Sequence, residues 1–71
     1  MNGELLIYPN PVTNILNITK EIDIKLYDMV GNLVISKEKT TQIDMTSLSS
    51  GIYNLNITYN NKIINNKIIK Q

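Results

Sequence analysis

The sequence predicts an all-β fold: a small antiparallel sandwich of about seven short strands. Three observations carry this expectation. Apolar and polar residues alternate at period two, as in Tyr53, Leu55, Ile57 and Tyr59 against Asn54, Asn56 and Thr58. Turn-forming residues recur roughly every eight to twelve positions, the spacing of short strands joined by short connections. The chain has no Ala, the best helix former, and its apolar set is rich in β-branched Ile.

The elements follow in order. Leu5, Leu6, Ile7 and Tyr8 make a short apolar strand. Pro9-Asn10-Pro11 stops it, because proline lacks the N–H that a ladder needs. A second strand spans 14–19, with Leu16 and Ile18 on one face. Lys20 and Glu21 read as a polar break before a third strand, 22–28, in which Ile22, Ile24 and Leu26 share a face. Burying Asp23 and Lys25 by a one-residue slip would be costly, so its register is firm. Asp28 reads as a turn residue bonding nearby backbone N–H groups, with Gly31 or Asn32 taking positive φ. A partner strand returns over 33–37, a polar loop covers 37–41, and a brief strand follows at 43–45. Gly51 opens the alternating strand that ends at Tyr59. Asn60-Asn61 fits a type I′ turn, and 62–70 is the last strand. Its pairs Ile63-Ile64 and Ile68-Ile69 are out of phase, which predicts a bulge.

Composition bounds the function. The 71 residues form one small domain with a formal charge of +1. There is no His and no Cys, which removes the usual general base, the commonest metal ligands and thiol chemistry. Ser47, Ser49 and Ser50 lie in a turn where Ser is ordinary. The carboxylates are scattered and match no calcium loop, and no Gly-rich loop precedes a helix. The reading is therefore non-enzymatic and without cofactor. Every basic residue is Lys, which argues against a nucleic-acid partner. No apolar run reaches the length of a membrane span. Met1-Asn2-Gly3 lacks signal-peptide character and reads as a start or linker remnant, with the domain over 4–71 and native chain upstream. Tyr27 is the aromatic expected to be exposed.

The final strand is expected to be an open sheet edge, whose free N–H and C=O groups another protein can pair with. Lys62, Lys67 and Lys70 on it either discourage aggregation or serve recognition. In isolation such an edge also invites dimerisation.

Several motifs fall in an order that points further: Tyr8-Pro9-Asn10-Pro11-Val12, then Leu26-Tyr27-Asp28 with Gly31, then Ile43-Asp44, then Leu48-Ser49-Ser50-Gly51-Ile52-Tyr53, then Lys67, Ile68, Ile69, Lys70 and Gln71. In this the chain resembles the type A C-terminal sorting domain of the type IX (Por) secretion system, from about Leu5 to Gln71. The resemblance implies an immunoglobulin-like β-sandwich that acts as an address. It implies a secreted parent that crosses the periplasm and is directed through an outer-membrane translocon of a Gram-negative cell, with the domain then removed by a sortase-like peptidase. The partners it implies are that translocon, the peptidase and an upstream cargo domain. Carried over, Pro9, Asn10 and Pro11 are the opening motif, Gly31 marks the turn, Gly51 and Tyr53 open a strand, and Lys67 to Gln71 form the terminal segment needed for export. The mechanism expected from this is backbone pairing of the terminal edge with the translocon. Ile68 and Ile69 would set register, and Lys67 and Lys70 would stay solvated. An adhesive or carbohydrate-binding module is the alternative, and a spacer stalk a third.

Overall fold

The alternation that begins at Leu16 does not stop at Lys20-Glu21. In the computed structural model, which describes residues 5–71, one strand runs unbroken from Ile15 to Tyr27, with Leu16, Ile18, Ile22, Ile24 and Leu26 all buried. The expectation for Met1-Asn2-Gly3, and for a domain start at residue 4, lies outside the described residues. The strands are β1 (Ile7–Tyr8), β2 (Ile15–Tyr27), β3 (Leu33–Asp44), β4 (Gly51–Tyr59) and β5 (Lys62–Lys70). There are five among the described residues. β2 takes up the second and third expected strands, and β3 takes up the fourth and fifth together with the segment expected as a loop.

All ladders between these strands are antiparallel. β2 is the spine. It pairs with β1 at Asn17 and Ile18, with β4 from Asp23 to Tyr27, and with β3 in two stretches. Between those stretches the ladder is irregular. Five positions along β2 (17 to 22) face two along β3 (42 to 40). Two positions along β2 (22 to 24) then face three along β3 (40 to 37). Lys39 sits in that second irregularity at φ 50°, and its amide donates to Asp23 Oδ1 at 2.9 Å. Extra residues on one strand bend it and raise its twist. The polar pair Lys20-Glu21 therefore marks a change of pairing rather than an end of strand. The resulting sheet is curled and sandwich-like, and both halves of β2 contribute to one core. Val12, Leu16 and Ile43 pack in the same cluster as Leu26, Leu55 and Ile68.

β4 and β5 pair without interruption, from Gly51 opposite Lys70 to Tyr59 opposite Lys62. Asn60 (φ 53°) and Asn61 (φ 61°) make the turn in the left-handed conformation that a type I′ hairpin requires. The bulge expected in the last strand is absent. The tight turn fixes the pairing, so Ile64, Asn66, Ile68 and Lys70 point inward while Ile63, Asn65, Lys67 and Ile69 point outward. The pattern looked irregular because two polar residues, Asn66 and Lys70, occupy inward positions. Tyr53 is a core residue, as its alternation predicts, and its hydroxyl donates to the Ser49 carbonyl at 2.7 Å. Tyr27 is half-buried, and Tyr8 is the more exposed ring at 52%.

Gly51 adopts φ +154°, a value that residues with side chains rarely reach, yet a Cβ placed there would meet nothing within 4 Å. Gly51→Ala is thus expected to destabilise through the backbone alone, by about 1–3 kcal/mol. A lowered urea midpoint with an unchanged m-value would show this. An unchanged midpoint would mean that the backbone there relaxes without strain.

A clamped strand edge as the candidate recognition site

An outer strand must satisfy, or leave to water, the N–H and C=O groups that face away from its partner. On β5 the parity of these groups is fixed by what binds them. Val12 N donates to Ile69 O at 2.8 Å, and Gln71 N donates to Val12 O at 2.9 Å. Asn10 Nδ2 donates to Lys67 O at 2.9 Å, and Ile69 N donates to Asn10 Oδ1 at 2.9 Å. Residues 67, 69 and 71 therefore turn their backbone groups outward, and residues 66, 68 and 70 turn theirs to β4. The stretch 10–12 lies along the terminal half of β5 like a short extra strand, with Val12 in a parallel bridge to Lys70.

The residue types explain how this works. Pro9 and Pro11 have no N–H to contribute. Asn10 between them uses one amide N–H as donor and its Oδ1 as acceptor on a short side chain, the same kinds of group that a backbone unit presents. It spans Lys67 O and Ile69 N as a strand residue would. Val12, the first residue after the prolines, supplies the next donor and acceptor from its own backbone while its side chain is fully buried.

This corrects the expected docking mode. The terminal edge is not open from Lys67 to Gln71, because four of its outward groups are already bonded. Lys67 is exposed, as expected, but Lys70 is only 8% exposed and its Nζ donates to the Gln71 carbonyl at 3.1 Å. Inward parity carries its stem into the sheet and leaves only the ammonium to reach a carbonyl. Ile68 is a core residue opposite Tyr53, so its side chain is not available to a partner, whereas Ile69 is 42% exposed. The structure brings together Pro9, Asn10, Pro11 and Lys67 to Gln71, and β4 adds Gly51 and Tyr53 through their pairing with Lys70 and Ile68. Gly31 belongs to another feature, the turn between β2 and β3. Sequence reasoning missed Val12 and Asn10 as clamp residues. The one available sign was an amide side chain fixed between two residues that cannot donate.

The profile of the family described as "Secretion system C-terminal sorting domain" matches residues 6–71, which includes both halves of the clamp. The chain belongs to this family. The sorting domain is also 38% identical over 58 residues to beta-agarase D of Zobellia galactanivorans, across 78% of this chain and 12% of the agarase. It thus spans a small part of the length of that relative.

The turn of the sorting domain is built as its sequence predicts. Asp28 Oδ1 accepts from the amides of Val30 (3.0 Å) and Asn32 (2.9 Å), and Oδ2 accepts from the Asn32 side chain at 3.3 Å. Gly31 takes φ +99°. The Asn32 amide foremost holds the Asp28 carboxyl below its ordinary value.

Two outcomes follow from these bonds. Asn10→Ala removes two bonds and is expected to cost about 1–3 kcal/mol and to speed hydrogen exchange at the Ile69 amide. Asn10→Asp keeps the acceptor and loses the donor, so it should retain part of that protection; equal protection in all three proteins would show that the clamp does not hold the edge. Because the folded pKa of Asp28 is depressed, the turn's contribution is full above the unfolded value of 3.8 and is lost as pH falls through the lower folded one. The Val30 and Asn32 amide shifts should titrate below pH 3.8 and should stay flat there in Asp28→Asn.

Proposed function

We propose that this domain is the address by which the type IX system sends an upstream cargo through the outer-membrane translocon, and that a sortase-like peptidase then removes it. Membership of the sorting-domain family makes the parent a secreted or cell-surface protein. Passage through the periplasm, removal by the peptidase and the identity of the cargo belong to the proposal. The observation that carries the reading is the clamp. It joins the opening motif to the terminal segment, two stretches 57 and 59 residues apart at their Asn10 contacts, into one surface. A preorganised surface binds with less ordering cost than a loose tail. With the terminal edge bonded internally, recognition falls to side chains that point outward rather than to backbone pairing.

One observation favours a second reading, a carbohydrate-binding module. Tyr27, Asn54, Asn56 and Asn65 border one shallow depression on the sheet face opposite the core. An aromatic ring among amides offers a face for a sugar ring and donors and acceptors for its hydroxyls.

Fusing the 71-residue chain to an inert periplasmic reporter in a type IX-competent bacterium separates the two. The address reading expects the reporter at the surface or in the medium. Retention in the periplasm, with glycan binding by the purified domain, supports the second reading and overturns the first. Deleting 67–71 is a poor test, because it also strips Ile68 from the core and leaves Asn10 without partners. Point substitutions that spare both are the sounder probe.

A further inference from the structure

The outer face of the β4–β5 hairpin is polar along its middle and apolar at its ends. Reading outward positions in order, β4 shows Ile52, Asn54, Asn56 and Thr58, and β5 shows Ile63, Asn65, Lys67 and Ile69. Ile52 and Ile69 lie directly opposite each other. Because Ile69 turns its N–H and C=O toward Asn10 and Val12, the two form a non-hydrogen-bonded pair, the closer kind of cross-strand neighbour. Their exposures are 36% and 42%. β2 pairs with β4 only over 54–58, so the end of β4 that carries Ile52 extends past it. The pair sits beside the clamp, on a stretch of β5 whose edge is held in place.

Charge is distributed unevenly. All six carboxylates lie in the first 44 residues, the last being Asp44, and β4 and β5 hold Lys62, Lys67 and Lys70 with no acidic residue. Lys70 is turned inward. Lys67 remains on the outer face, one outward position from Ile69.

We propose that Ile52 and Ile69, with the Lys67 ammonium beside them, form the surface read by the export machinery, and that its counterpart is a protein pocket with an apolar floor and a carboxylate at its rim. The inference rests on the address reading above and names the residues through which it works. Ile52 belongs to the site although it is 17 positions from Ile69 in sequence, because the ladder places it there. Asn10 is a positioning residue that keeps Ile69 and Lys67 in place without facing the partner. A protein pocket fits this surface better than a lipid bilayer does. Interfacial elements sink roughly 5–10 Å into the headgroup region, which two half-covered side chains on a strand face cannot do. A small apolar pair with a cation at its side instead matches the centre and rim of a protein interface.

The test uses the reporter fusion with Ile52→Thr, Ile69→Thr, the double variant and Lys67→Glu. Thr keeps β-branching and strand preference while removing exposed apolar surface. Ile63→Thr, at the far end of the same face, is the control. With the wild-type fusion exported, the double variant is expected to lose about tenfold or more of the exported fraction at an unchanged melting temperature. Lys67→Glu should fall further than Lys62→Glu, a second control at the turn end of β5, and Ile63→Thr should stay at wild type. Wild-type export by the double variant overturns the proposal and leaves the address reading standing. Equal loss in Ile63→Thr overturns it too, since any exposed Ile would then serve. Sedimentation of the purified domain with anionic phosphatidylglycerol vesicles, dependent on Ile52 and Ile69, replaces the protein pocket with a lipid surface. Failure of the wild-type fusion to export removes the address reading, and this inference with it.

Discussion

A strand edge exposes hydrogen-bonding groups that must end on something, and the treatment of one edge organises this domain. Asn10 and Val12 bond four outward backbone groups of the terminal segment, at Lys67, Ile69 and Gln71. These bonds agree with the register that the Asn60-Asn61 turn sets along β4 and β5: residues 67, 69 and 71 turn their backbone groups outward, while 66, 68 and 70 bond to β4, with Ile68 opposite Tyr53 and Lys70 opposite Gly51. Ile68 then enters the core and Lys70 is buried, while Lys67 and Ile69 face solvent. The clamp protects the edge from chance pairing and holds in place the side chains that the ladder turns outward.

The spine strand shows a second use of irregular pairing. β2 keeps one inward face over its whole length, since every buried position from Leu16 to Leu26 is even-numbered. Its partner β3 cannot follow without a shift, and the mismatch around Thr40 absorbs the curl. Asp23 caps the strained position by accepting from Lys39 N. An outward carboxylate on the spine thus does structural work, as does Asp28 in the neighbouring turn. Both acidic side chains are engaged by backbone amides.

Local patterns in the sequence carried much of this. The alternations of Ile22 to Leu26 and of Tyr53 to Tyr59, the Asn60-Asn61 turn and the Asp28 network are each set by neighbours within a few positions. Short-range rules therefore recover them. The errors have one cause. Lys20-Glu21 read as a strand end because polarity was taken to break pairing, although the alternation runs through it. The bulge in β5 was inferred from its apolar pairs alone, although a two-residue turn and a long ladder outweigh two inward polar residues. The clamp was illegible for a different reason. Its bonds link Asn10 to Lys67 and Ile69, and no local pattern in the sequence encodes which distant backbone groups an amide will meet.

That long reach bears on what kind of address this is. A linear tag is read residue by residue and works wherever it is attached. Here the exposed members of the terminal segment are oriented by their ladder with β4 and held at their edge by Asn10 from early in the chain, and one of the apolar side chains beside them, Ile52, comes from a different strand. Folding must precede reading, because no unfolded stretch of this chain holds Ile52, Lys67 and Ile69 on one face. Under the proposed reading, the surface exists only once the β4–β5 ladder and the clamp have both formed, so its recognition would tie export to folding.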